Sequence, residues 1–293
     1  MKYQTFPAFF AAVVAAFAAL PLHSAVAQGP APMAVQKGEN SVTNPTYADI
    51  VDLADEASVI ALVKIRKQAI LEPERSPGLQ RGFARLYVVA KVEQPLRGGL
   101  MVDQTVRYLV DVPALSDGST RNLKGESVLA FARAVPGRPG DLQLVSPYAH
   151  LPAGSAAAQK ARTIIDAMAA PGSPPRVKGV RDIISVPGNL AGESETQLFL
   201  ATDAQEAPLV SIVRRPGIAP QWGVAWGELV DGAGGPPTIE TLAWYRLACS
   251  LPAQIPAGAN LGSNEQAIEQ ARTDYALVLR AVGPCPRSGI MAR

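Results

Sequence analysis

The sequence predicts a mixed α+β protein, and three features lead there. Short runs rich in Val, Ile and Leu recur between residues 59 and 147, at the length and spacing of strands in a small antiparallel sheet or barrel. Two longer segments, 154–170 and 264–282, carry apolar residues in helical register. The 25 Gly and 26 Pro among 293 residues exceed average usage but fall short of low-complexity disorder. Turns and loops therefore surround a core. The expected architecture is an N-terminal barrel or sheet of about five strands with flanking helices, then an α+β domain with a three-stranded sheet and two helices.

The first 27 residues form an export signal. Met1 and Lys2 give a positive start, residues 8–20 are uncharged and apolar, Pro21 breaks the run, and Ala25 and Ala27 are the small residues a signal peptidase reads. The apolar stretch is too short to span a bilayer. Cleavage after Ala27 places the chain in the periplasm or outside the cell, and the Ala-rich signal has a bacterial style. No later segment reaches a spanning length, so no stable membrane insertion is expected after cleavage.

Residues 28–44 are small and polar, a flexible leader. Asn44 is placed to cap a helix with Pro45 at its first position, and Tyr47, Ile50, Val51 and Ala54 lie on one face of it. Strands are expected over 59–71, 83–92, 102–112, 126–135 and 141–147, the last two joined by a Pro/Gly-rich turn. A helix over 154–170, capped by Ser155, closes a β-rich domain spanning 45–170. The Pro cluster in 171–179 is a linker, with a loop inside one domain as the alternative. In the second domain, 180–293, strands are expected over 196–202, 209–214 and 222–230, and helices over 237–250 and 264–282. Ser263 and Gln266 form a capping box for the last helix. Cys249 and Cys285 are the only cysteines, and export to an oxidising compartment predicts one disulfide between them.

Three stretches carry a resemblance. Ala57-Ser58-Val59-Ile60-Ala61-Leu62-Val63-Lys64-Ile65 looks like an opening strand after a short helix. Val92-Glu93-Gln94-Pro95-Leu96-Arg97-Gly98-Gly99 is similar to the turn before a third strand, and Gly125-Glu126-Ser127-Val128-Leu129-Ala130-Phe131 to the entry of a fourth. Together, over about residues 48–150, they resemble the OB-type barrel of exported bacterial proteins, the topology of netrin-module and metalloproteinase-inhibitor domains. The resemblance implies a shape. Those inhibitors act through an N-terminal Cys that this chain lacks, so no inhibitory residue carries over.

Composition excludes much chemistry. With 27 Lys and Arg against 25 Asp and Glu the net charge is +2, and no run of like charges supplies the footprint of a nucleic-acid binder. After signal cleavage His150 is the only histidine, which removes paired-imidazole metal sites. No Gly-x-Ser-x-Gly elbow, Ser-x-x-Lys or P-loop occurs. His150 reads as a surface or linker residue. No cofactor and no metal are expected, and no catalytic residue is assigned.

One segment stands out. As a strand, 221–228 places Trp222, Trp226 and Glu228 on one face and Gly223, Ala225 and Gly227 on the other. The first face, with Arg214 and Arg215 nearby, is a candidate surface for a peptide or a sugar ring. The alternative is that both Trp pack on Trp244 and the C-terminal helices. The small-residue face permits close approach by a neighbouring element. The favoured reading is a non-enzymatic exported protein that binds or scaffolds a protein, peptide or glycan. The alternative is a carboxylate-based hydrolase acting on an envelope or extracellular substrate.

Overall fold

Thr46 opens the first helix. Its hydroxyl accepts the Asp49 N–H at 3.2 Å, while the Asp49 carboxylate accepts the Thr46 N–H at 2.8 Å. This reciprocal cap fixes the start of α1 (Tyr47–Glu56). The cap is therefore Thr46 and not Asn44, and Pro45 precedes the helix. The computed structural model describes residues 45–203, 207–227 and 234–288. The export signal over 1–27 and the leader over 28–44 lie outside the described residues.

The first sheet contains β1 (Val59–Ile70), β2 (Phe83–Arg97), β3 (Thr105–Pro113), β4 (Ser127–Ala134), β5 (Leu142–Leu144) and β6 (His150–Pro152). Its order is β3-β2-β1-β4-β5, with β6 also paired to β4. Alternation explains β2 and β3: Leu86, Val88, Ala90, Val106, Tyr108 and Val110 point inward and are buried. In β4, Val128 to Ala132 are buried without a break, the pattern of a strand covered on both faces. α1 packs on β4 and on α2 (Ala156–Ala169), and α2 packs on β6. Of the sheet and barrel expected, the sheet is found. β3 meets the chain just before β5 at one parallel bridge, Arg107 to Asp141, rather than pairing with β5 along a ladder.

The second sheet is a four-stranded meander, not the three-stranded one expected. β7 (Val177–Pro187), β8 (Ser194–Thr202), β9 (Leu209–Arg215) and β10 (Ile218–Ala225) pair in sequence order. β7 begins inside the expected linker. Register shifts at Val177/Gly179 and Val180/Asp182 interrupt its two-residue period, so alternation does not reveal it. β10 starts earlier than expected because Gly217, at φ 73°, lets the chain reverse in a two-residue turn. The part of the expected last strand beyond residue 227 lies outside the described residues.

The helices of the second half are α3 (Leu242–Ala248) and α4 (Glu265–Val282). α3 is shorter than expected. Glu240 has φ 57°, which a helix cannot accommodate, and Thr241 caps the helix by accepting the Trp244 N–H at 3.2 Å. α4 is capped by Asn264, whose side chain accepts the Ala267 N–H at 2.9 Å, and not by Ser263. α4 lies across β7 and β8 and buries Ala271, Tyr275 and Val278 against the sheet. One continuous apolar cluster runs through both sheets and α1–α4. Cys249, at the end of α3, is bonded to Cys285, just past α4, with an S–S distance of 2.02 Å.

Candidate functional site

The residues singled out in 214–228 divide between two sides of the second sheet. Trp222 pairs with Ile212 and Val224 with Val210, both partners being fully buried. Trp222 and Trp226 are half-buried and pack against the core. Trp244 lies deeper, its indole N–H donating to the Val282 carbonyl at 2.7 Å and its ring edge-on to Tyr47. Arg214 turns inward: its Nε lies 2.6 Å from Asp274 Oδ1. Arg215 turns outward into a cleft of about 830 Å³ that Trp222, Gln221, Ser211 and Gln197 also border. The small-residue face does admit a neighbour, since the chain at Gly234 crosses so close that a Cβ on Gly223 would overlap the Gly234 carbonyl. Glu228 lies outside the described residues.

Arg214 belongs to a buried network. Asp274 and Thr196 are fully buried. The Thr196 hydroxyl lies 2.5 Å from Asp274 Oδ2 and 2.9 Å from the Ser185 hydroxyl. Pairing and hydrogen bonding are what make a buried carboxylate tolerable, and this network anchors α4 to β7, β8 and β9. His150, expected at the surface or in a linker, is instead a strand residue paired with Ala130. Its Nδ1 is 3.5 Å from the Tyr108 hydroxyl. Burial lowers the imidazole pKa from 6.5 to about 4 and raises that of Tyr108, so at neutral pH both rings are uncharged.

A second recess lies on the outer face of the first sheet. There the register aligns Ala69 with Tyr87 and Tyr87 with Leu109, giving a cross-strand row that faces solvent. Tyr87, Leu109 and the neighbouring Ile70 are 40%, 43% and 48% exposed. Two loops wall this row. The β1–β2 connection contributes Glu72 and Arg75, and the β4–β5 connection contributes Val135, Arg138 and Asp141, enclosing an open groove of about 630 Å³.

Each wall is pinned by an arginine of the sheet. Arg85 forms a two-pronged pair with Asp111, at 2.7 and 2.8 Å, and donates to the Pro77 carbonyl at 3.0 Å. That bonding raises the Arg85 pKa above its ordinary value. Arg107 donates to Asp141 at 2.6 Å and to the Pro139 carbonyl at 3.1 Å. Arg75 and Arg138, by contrast, have guanidinium groups with no partner among the described residues. The groove is not legible in the sequence because its parts come from four separated segments. One signal was present: Tyr87 is an aromatic residue on the outward face of an alternating strand.

Among the described residues no three His, Cys, Asp or Glu side chains come together as a metal site. Within the same residues no helix is long and apolar enough to cross a membrane. No family model matches this chain, and neither a curated protein nor a solved structure does.

Proposed function

We propose that this chain is an exported, non-enzymatic binding protein whose ligand surface is the outer face of β1–β3. Export is supported by the signal pattern in residues 1–27 and by the Cys249–Cys285 bond, since such bonds persist in oxidising compartments. The OB-like reading is supported by the pairing of β1 with both β2 and β4, and by the bridge that brings β5 toward β3. The observation that carries the binding reading is the groove itself: exposed apolar side chains between two pinned loops, bordered by two unpaired arginines. A concave, partly apolar recess with a few charged groups is the usual form of a ligand site.

Binding is favoured over hydrolysis by how the nearby titratable groups are used. Asp141 is tied to Arg107 and Asp111 to Arg85, so these carboxylates hold loops in place. His150 is occupied against Tyr108 on the core side of the sheet. The test compares the mature protein with a Tyr87→Ala/Leu109→Ala variant on peptide and glycan arrays, with turnover assayed in parallel. A ligand held by the first and lost by the second, without turnover, is the expected result. Equal retention by both would remove the groove from consideration, and turnover of an array compound would overturn the non-enzymatic reading.

A further inference from the structure

We infer, resting on the binding reading above, that the groove on the first sheet takes an extended acidic peptide with an apolar side chain between its carboxylates. The floor supplies the apolar half of this match. Ala69, Tyr87 and Leu109 lie in one row across three strands, so their contact area is continuous and presented by rigid backbone. Exposed apolar surface of this kind gains free energy when a partner side chain covers it.

Charge supplies the other half. Between residues 59 and 145 the chain carries 13 Lys and Arg against 8 Asp and Glu. Of the acids beside the groove, Asp111 and Asp141 are already paired with Arg85 and Arg107. Among the described residues the wall groups without a side-chain partner are Glu72 and Arg75 on one loop and Arg138 on the other, so the cationic groups outnumber the acidic one. A guanidinium in this state offers a fork of N–H donors that fits a carboxylate in two-pronged fashion.

Both arginines sit on turns that are already ordered. Arg75 ends the short helical turn Pro73–Arg75, which is held by the Ser76 hydroxyl donating to the Glu72 carbonyl at 3.1 Å and by the reach of Arg85 to Pro77. Arg138 lies in a turn closed by the Asp141 N–H donating to the Arg138 carbonyl at 3.0 Å, and Arg107 pins the next residue. A ligand therefore has little loop entropy to remove on binding.

A peptide is favoured over a glycan by what the lining omits. The groove is bordered by no Ser, Thr, Asn or Gln side chain, the neutral groups that match sugar hydroxyls, and its one exposed aromatic ring is flanked by aliphatic side chains. It is favoured over a nucleic acid because a base-stacking surface needs several aromatic faces along a cationic track, and only Tyr87 is exposed here.

The experiment uses the mature, disulfide-intact chain and fluorescence anisotropy of labelled octapeptides. The probe has a central Leu flanked by Glu and Asp. Controls replace the acids by Lys, or the Leu by Gly. Dextran sulfate and a neutral glycan serve as competitors. Saturable binding of the acidic Leu peptide is expected, weakening as salt is raised. An Arg75→Glu/Arg138→Glu variant is expected to bind about tenfold more weakly or worse. Both positions are loop surfaces, so near-UV circular dichroism should be unchanged. Arg215→Glu, on the other sheet, is expected to leave binding intact. Equal binding of the Lys or Gly peptide, or no effect of the charge reversal, would overturn the inference, as would full competition by dextran sulfate. A neutral glycan held by the wild-type chain and lost in Tyr87→Ala/Leu109→Ala would also overturn it while leaving the binding reading in place. Loss of every groove-dependent ligand would remove both.

Discussion

His150 is the residue whose environment departs most from its sequence context. Partly buried against Tyr108, its imidazole has a pKa lowered by desolvation from 6.5 to about 4, so the folded chain holds it neutral while the unfolded chain protonates it below about pH 6.5. The unfolded state then binds more protons, and stability must fall as pH drops from 6.5 toward 4, by at most about 3 kcal/mol. Denaturant unfolding at pH 7.5 and 4.5 should show that loss in the wild-type chain and a smaller one in His150→Gln; equal losses would place the pH dependence elsewhere. Asp274 makes the opposite case, a charge that stays buried because it is paired. In Asp274→Ala, Arg214 and the Thr196 hydroxyl lose their acceptor, and a cost of about 3 kcal/mol is expected. A midpoint shift of under a third of that size would show that solvent reaches Arg214 and replaces the carboxylate.

At the scale of elements, the disulfide gives the sharpest prediction. It closes a loop of sequence separation 36 between the ends of α3 and α4. The chain-entropy account assigns such a loop about 4 kcal/mol. Cys249→Ser/Cys285→Ser should lose stability on that scale, and the unreduced wild-type chain should show no titratable thiol among these two. Elements were legible in the sequence where a single face was buried. β2, β3 and α4 announced themselves through periodicity, and the Gly223 face announced a close neighbour that Gly234 supplies. Legibility failed where local backbone geometry overrode pattern. Bulges hid β7, a left-handed Glu240 shortened α3, and Thr46 caps α1 because its partner Asp49 lies three residues on. The groove was illegible for a different reason. Register brings Ala69, Tyr87 and Leu109 together, and register is set by strand pairing across the whole sheet.

For the whole molecule, the question is whether the two sheets unfold together, and α1 decides it. One side of α1 belongs to the first sheet: the Arg97 guanidinium donates to the Ala54 carbonyl at 2.5 Å, and Arg133 pairs with Glu56 at 3.0 Å. Asp49, Asp52 and Asp55, spaced by three so that they share a face, hold the second half. Asp55 pairs with Arg246 and, at 3.3 Å, with Arg176. Asp52 accepts from Arg287 at 2.7 Å and from the Tyr245 hydroxyl, and Asp49 accepts the Ser288 N–H at 3.0 Å. Burial of the Tyr47 and Trp244 rings against each other adds an apolar seam. These contacts predict a single cooperative transition. The three Trp all lie in the second half, with Trp244 also against Tyr47 of α1, so their fluorescence reports that half and its seam with α1, whereas far-UV circular dichroism reports both sheets. The two unfolding curves of the mature chain should coincide, which is the signature of one cooperative unit. In Asp52→Asn/Asp55→Asn both curves should move to lower denaturant together. If the fluorescence curve shifts and part of the dichroism curve stays behind, the halves are separate folding units and α1 merely touches the second.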